Sequence, residues 1–375
     1  MNLLFRAERG MCKMIKSIHF KNFKVLRDAT LPLSRFTLIV GANGSGKSTA
    51  MQALSKFVSP SYADSYEIIT ADQKHADTAT VSITIDWALD ERASESSRKK
   101  IQDTIIAPTL PSDLSVRLMT EWKHENGKIN LDGPKLRNAG VVLEPTRERE
   151  ILTKIASFRI FSFDAQAIAE PAPIRQKVEM SPNGSKLAGV LDYLHGSEPE
   201  IWEMLNEELS RWFPEFDRVL LRPTGDGEKG FSLRTRVGRH EIQAANLSHG
   251  TLLALAFLTL AYFPNPPAIL CIEEPERGVH PRLFREIRDC MHRLCYPEEY
   301  GDRRDPVQVI ATTHSPYMLD LYKDYPEEIV IAHKDERGVL FERLSDKPNF
   351  NEFLQDAPLG EVWYSGILGG VPLTS

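Results

Sequence analysis

Residues 36–49, FTLIVGANGSGKST, limit what this chain can fold into more than any other stretch. The β-favouring run FTLIV leads without a break into a glycine-rich loop that closes on a lysine and two hydroxyls. Gly41, Gly46, Lys47 and Ser48 satisfy the spacing G-x-x-x-x-G-K-[ST]. Glycines in such a loop let backbone N–H groups close around phosphate oxygens, the lysine adds a point charge, and the hydroxyl is offered to Mg²⁺. Residues 49–57 carry helix formers at apolar spacing, so the loop empties into a helix N-terminus whose dipole favours anions. A chance glycine turn would not need strand, loop and helix in this order. Asn43, Gly44, Ser45, Gly46, Lys47, Ser48 and Thr49 are therefore expected to line a nucleotide's phosphates, with Lys47 serving the chemical step as well.

At 375 residues, 42% hydrophobic and 26% charged, the chain can bury one large core or two ordinary ones. A net charge of -6 argues against wholesale coating of nucleic acid and leaves a local basic face open. Cys12, Cys271, Cys290 and Cys295 show no paired spacing, which points to a reducing, cytoplasmic setting. Cys290, His292 and Cys295 share one helical stretch, and no second cluster completes a tetrahedral metal site. Residues 1–13 are broken by Arg6 and Glu8, so they read as a leader rather than a signal peptide. The longest apolar run, residues 251–263, falls short of the roughly 20 residues that span a bilayer and ends against prolines. It is expected to be a buried helix, with no membrane as partner.

Period-two alternation over residues 15–34 predicts an antiparallel strand pair that feeds the strand at 36–40. Residues 79–87 and 116–122 alternate again, on either side of a charged, helix-like segment at 95–104; together they predict an antiparallel β insertion. Asn126-Gly127 supplies a hairpin turn between residues 116–124 and 128–131. Residues 155–165 read as a β-rich run with Gln166 just beyond it. Residues 186–213 read as amphipathic helices broken near Gly196 and Pro199, and residues 218–236 as a hairpin around 224–227. There is no sustained heptad pattern and no internal repeat.

Three further stretches carry chemistry. Residues 268–274, AILCIEE, are an apolar strand ending in adjacent carboxylates. In P-loop enzymes such a strand delivers the acid that shares Mg²⁺ with the loop hydroxyl, and a neighbouring group orients the attacking water. Glu273 is assigned to the Mg²⁺ shell with Ser48, and Glu274 to the general base. Residues 246–251, NLSHGT, place Ser248 and Gly250 at an anion-facing helix N-terminus, although Ser-x-Gly alone is also an ordinary helix cap. Residues 307–315, VQVIATTHS, form a strand whose tip presents His314 to a γ-phosphate or to water.

In this order the stretches resemble the ABC-type ATPases, specifically the soluble branch shared by RecF, the SMC proteins and the OLD nucleases. GANGSGKST resembles Walker A, NLSHGT stands where the LSGGQ signature belongs, and LCIEEPE resembles Walker B. Residues 277–281 occupy the D-loop place, and His314 is similar to the switch histidine. LSxGT together with EEPE and TTHSP is most similar to a bacterial group of AAA-family ATPases related to OLD proteins, whose C-terminal segment residues 360–372 also resemble.

The resemblance implies an α/β fold: a P-loop NTPase with an ABC-ATPase head, a mixed central sheet and an antiparallel β subdomain. One such domain would fill residues 14–375: N-terminal strands and Walker A over 14–58, the β insertion over 59–150, a Q-loop region over 151–185, and the remaining motifs over 186–375. It implies ATP and Mg²⁺ as cofactors, with Gln166 as Q-loop ligand to the nucleotide and a candidate for the metal. It also implies a head-to-tail homodimer in which Ser248 and Gly250 act in trans on the neighbour's phosphate. Two departures are visible: His249-Gly250-Thr251 replaces the Gly-Gly-Gln of transporters, and position 273 is Glu where Asp is usual.

The function so implied is an ATPase that switches a nucleic-acid-directed effector in DNA repair or anti-phage defence. OLD nucleases carry a Toprim nuclease domain after the ATPase; this chain stops soon after His314, so a nuclease is expected to be a separate partner chain. DNA is a candidate ligand, for which Arg234, Arg236 and Arg239 offer cations unless they form a plain solvated face. The alternatives are an ATP-sensing scaffold with little hydrolysis, or the nucleotide-binding subunit of a transporter, which the altered signature and the β insertion disfavour.

Overall fold

A computed structural model describes residues 14–59, 68–69, 78–88, 115–125, 128–137, 145–174, 179–225, 227–336, 338–348 and 357–368. The first two strands, β1 (Met14–Phe23) and β2 (Leu26–Pro32), form the expected antiparallel pair. They are followed by β3 (Phe36–Val40) and by the helix α1 (Lys47–Val58) that leaves the glycine loop. The strands β4 (Thr78–Ala88), β5 (Ser115–Glu125) and β6 (Lys128–Arg137) extend the first pair into an antiparallel sheet of order β2-β1-β4-β5-β6. Its alternation delivers Ile18 and Phe20 of β1 and Val81, Ile83 and Ile85 of β4 to one buried face. The pairing of β5 with β6 runs to Glu125 and Lys128, as a hairpin at that place requires. Asn126-Gly127 and the 95–104 segment lie outside the described residues.

The β-rich run expected over residues 155–165 is corrected. Residues before it form α2 (Pro145–Ala156), the strand β7 is only Arg159–Phe161, and the run ends in the short helix α3 (Ala165–Ala169). Ile155 belongs to the helix because it lies four residues after Ile151, and both are buried on one helical face. Pro145 at the start, Glu148 in the first turn and Lys154 in the last were the local signals. After β8 (Ala172–Pro173) come α4 (Leu187–Ser197) and α5 (Pro199–Trp212), broken at the expected place. Then β9 (Phe216–Gly225) and β10 (Glu228–Thr235) form the expected hairpin, and β11 (Glu241–Gln243) and β8 both pair with β10.

The helix α6 (His249–Tyr262) is buried from Thr251 to Ala261, which explains why it is apolar all round rather than striped. Beyond it lie β12 (Ile269–Glu273), α7 (Phe284–Cys295), β13 (Gln308–Thr313), α8 (Pro316–Asp320), β14 (Ile329–Asp335), β15 (Gly338–Arg343) and α9 (Leu359–Tyr364). The central sheet is mixed, with order β15-β14-β3-β13-β12-β7: five parallel strands and an antiparallel edge. It divides the hydrophobic interior in two. Phe36, Leu38 and Val40 of β3 face a core built with α4 to α7, while Ile39 faces one shared by α1 and the antiparallel sheet. Each such fully buried aliphatic or aromatic side chain is worth about 1.5–3 kcal/mol.

Gln308, at the start of β13, ties the two sheets together. Its amide donates to Ile15 O (2.7 Å) and Ser34 O (2.9 Å), and its oxygen accepts from Ile15 N (2.9 Å). Cys271, Cys290 and Cys295 are free and buried, and burial pushes all three thiols up. His292 is enclosed by the rings of Phe36, Tyr296, Tyr322 and Tyr325. No group of three metal-ligating side chains occurs among the described residues, and none of their helices is long and apolar enough to cross a membrane.

Candidate functional site

Because β3, β13 and β12 are adjacent and parallel, the segments that leave them converge on one edge of the sheet. The glycine loop emerges from β3. Gly46 is left-handed (φ 96°), and a Cβ there would lie 2.8 Å from the Val339 side chain. Gly41 is pressed against Ala332 O, and a side chain on it would also come within 2.6 Å of Ser45 Oγ. Lys47 is 7% exposed, and its Nζ donates to Gly41 O (2.6 Å) and Ala42 O (2.9 Å), folding the side chain back over the loop. Burial pushes its ammonium down from the ordinary lysine value, while the charges of Glu274 and Glu276 pull it back up. Asn43, Gly44 and Ser48 are exposed and Thr49 is half-buried; Ser45 Oγ is buried with no hydrogen-bond partner.

Residues that the sequence assigns to one site meet here. Ser48 lies beside the Glu273 carboxyl; burial pushes that carboxyl above the ordinary glutamate value, the nearby Ser48 hydroxyl opposes the rise, and the charge of Glu274 adds to it. A hydroxyl beside a carboxylate is the hard-oxygen donor set that suits Mg²⁺. Glu274 lies one residue on, and His314 Nδ1 stands 3.1 Å from its Oε1, with both side chains partly open to solvent. Glu274 also has φ 46°, in the left-handed region that non-glycine residues enter at a cost of about 1–2 kcal/mol. Its N–H donates to Thr312 O (3.0 Å), which fixes the turn against β13.

Glu276 is a member of this cluster that sequence reasoning missed. It is 8% exposed, its Oε1 accepts from Thr313 Oγ1 at 2.5 Å, and its Oε2 is buried with no partner. Burial pushes its carboxyl above the ordinary value, opposed by the Thr313 hydrogen bond. The third acid of EEPE was visible as a letter, but its burial depends on a residue 37 positions away.

The remaining expected residues stand apart. Ser248 caps α6, accepting from Thr251 N (3.1 Å) and sharing a hydrogen with Thr251 Oγ1 (2.7 Å). Gly250 abuts the 278–280 turn, where a Cβ would lie 3.4 Å from Gly278 O. Ser248 and Gly250 make no hydrogen bond to the glycine loop or to Glu273 and Glu274 among the described residues. Gln166 is exposed on α3, whose cap is supplied by Asp164, and it makes no side-chain hydrogen bond there. Arg234 is paired at two points with Asp217 (2.9 and 2.6 Å), and Arg236 Nε donates to Pro214 O, so two of the three candidate phosphate-binding arginines are engaged within the fold.

Residues 36–320 match the family described as "AAA domain, putative AbiEii toxin, Type IV TA system". The chain belongs to this AAA family. The matched span runs from β3 through α8 and so contains every residue of the cluster. The AAA chain is also similar to an OLD nuclease of Thermus scotoductus, 24% identical over 89% of this chain, and to the Old nuclease of Escherichia phage P2, 22% identical over 90%. It spans 65% and 62% of the lengths of those two relatives. Among solved structures, an SMC head bound to the C-winged helix domain of ScpA superposes with a TM-score of 0.55 at 16% identity, covering 88% of this chain and 97% of that one. The AAA chain therefore has the P-loop ATPase head fold of the RecF, SMC and OLD branch.

Proposed function

We propose that this chain binds ATP with Mg²⁺ at the edge where β3, β12 and β13 end, and hydrolyses it to ADP and phosphate. The observation that carries the reading is that Lys47, the Ser48–Glu273 pair and the Glu274–His314 pair, drawn from three separate parts of the sequence, occupy one edge of one sheet. Backbone N–H groups of residues 43–49 cradle the phosphates, and Lys47 exchanges its loop carbonyls for phosphate oxygens. Ser48 and Glu273 would hold the Mg²⁺, which when bound would neutralise phosphate charge. Glu274 takes the proton of the attacking water, and His314 steadies that carboxylate and the water between them. Gln166, exposed and uncommitted, is the residue free to swing toward the nucleotide.

The reading extends to assembly. Ser248 is exposed and Gly250 half-buried beside the 278–280 turn, which suits a patch that closes on the phosphates of a second copy in a two-fold dimer. ATP occupancy would then set the open or closed state, and the role would be to switch a nucleic-acid-directed effector, such as a nuclease, in DNA repair or phage defence. Similarity to two OLD nucleases supports this direction, and buried, unpaired cysteines suit a cytoplasmic setting. The decisive experiment is phosphate release by the wild type and by Glu274→Gln. A loss of about a hundredfold or more is expected for a general base; equal rates would remove Glu274 from that role.

A further inference from the structure

The turn after β12 reaches the tip of β13 twice. Glu274 meets His314 and, two residues later, Glu276 meets Thr313. The turn is held rigid by its own backbone, Arg277 N donating to Glu274 O (2.9 Å) and Val279 N to Glu276 O (3.2 Å). Thr313 is itself a relay: its Oγ1 donates to Glu276 Oε1 and accepts from Ser315 N at 3.0 Å. The backbone on both sides of His314 is therefore tied, through one hydroxyl, to one buried carboxyl. The His314 ring is half open to solvent, and Glu274 is its one ion-pair partner among the described residues.

We propose that Glu276 is a positioning residue that sets the reach of His314 toward Glu274 by clamping the histidine's turn through Thr313 and Ser315. The inference rests on the hydrolase reading for its consequence, because His314 and Glu274 are the groups it aligns. Burying a carboxyl with one oxygen unpartnered is costly, and such costs persist where the surrounding structure over-determines a geometry. A neutral apolar residue at 276 would remove that cost and leave the Thr313 hydroxyl without its acceptor. The downstream side is anchored as well. Ser315 caps α8, Met318 N donating to its Oγ at 3.4 Å, and Asp320 of α8 accepts from Gly360 N (2.7 Å) of α9. With both ends of the tip held, the position of His314 between them follows from the hydrogen bonds rather than from packing of its own ring.

The test compares Thr313→Val, Glu276→Ala, their double variant and Glu276→Gln in the full chain. Thr313→Val and Glu276→Ala are each expected to lower kcat for ATP by about tenfold or more with KM within about twofold, the pattern of a loss confined to the transition state. The double variant should be no worse than the worse single one, since both break the same relay. Glu276→Gln, whose side-chain oxygen still accepts from Thr313, should recover most of the lost rate. In protein labelled with ¹⁵N-histidine, with His314 assigned by its loss in His314→Gln, the ring nitrogen resonances should move in Thr313→Val and Glu276→Ala and return in Glu276→Gln. Additive rate losses, or an unmoved His314 ring in Thr313→Val, would overturn the proposal. If Glu276→Ala does not fold, Thr313→Val and Glu276→Gln decide it. If the wild type hydrolyses no ATP, the hydrolase reading falls, and the His314 resonances still decide whether the clamp exists.

Discussion

The two ends of the candidate machinery in this chain are built in opposite ways. At the sheet edge, Lys47, Ser48, Glu273, Glu274, Glu276 and His314 lie close enough to act on one another, with Glu274 paired to His314, Glu276 bonded to Thr313 and Lys47 folded onto the loop carbonyls. At the start of α6, Ser248 does no more than cap its own helix, and Ser248 and His249 face solvent. One end is electrostatically dense and self-contained. The other is a finished helix N-terminus, buried behind by Leu252 to Ala261 and open in front. The contrast is what a composite site would require: half of the machinery preorganised at cost, and half left as an unspent docking face.

The contrast can be broken by substitution. Lys47→Ala is expected to weaken ATP binding by about a hundredfold or more, because it removes the one cation that the glycine loop buries; an unchanged Kd by calorimetry would separate the loop from nucleotide. Ser248→Ala should leave ATP affinity of the isolated chain nearly intact and yet abolish hydrolysis. Mixed in equal amounts with Lys47→Ala chains, it should recover roughly a quarter of wild-type activity, the share given by random pairing in a two-fold dimer with one intact composite site per mixed pair. No recovery above either variant alone would place both ends in a single-chain site.

A smaller effect sharpens the same comparison on the side of stability. Ser248→Ala removes the cap of α6 and should cost about 1 kcal/mol, read as a lowered denaturant midpoint without a change of slope. A change well above that would mean that Ser248 does more in the free chain than cap a helix. The smallest is a pH effect at the dense end. Burial raises Glu276 above its ordinary value of 4.5, so its contribution to stability is present below that value and is lost as pH rises through the elevated one. Glu276→Gln has no such loss, so its melting temperature relative to wild type should climb as pH rises above that ordinary value. A flat difference would show that Thr313 offsets the burial in full.

Much of this site was legible because its parts are local. The glycine loop is a contiguous spacing rule, and strands such as β4 and β5 announce themselves by alternation over their own length. What escaped the sequence depends on distant partners. Glu274 and His314 are each identifiable as chemical groups, but their 3.1 Å approach is decided by β12 and β13 being neighbours in the sheet. Glu276 looks like a turn residue until Thr313 buries it. Residues 155–165 misled for a different reason. Alternating apolar residues in IASFRIFSF satisfy a strand rule, while Ile155 completes the face of the preceding helix and only Arg159–Phe161 find a partner strand in β12.

Gln308 joins residues 293 positions apart, and that separation has a consequence for how the chain is made. At roughly 5–20 residues per second, on the order of 15–60 s of synthesis pass between β1 and the amide that anchors it. The antiparallel sheet can pair its own strands in that interval, but the face carrying Ile18 and Phe20 has no central sheet to rest on until β13 and β14 exist. The N-terminal strands are thus assembled early and docked late. Until then the protein carries an apolar sheet face without that cover, and that interval is where a folding helper or a misfolding event would find it.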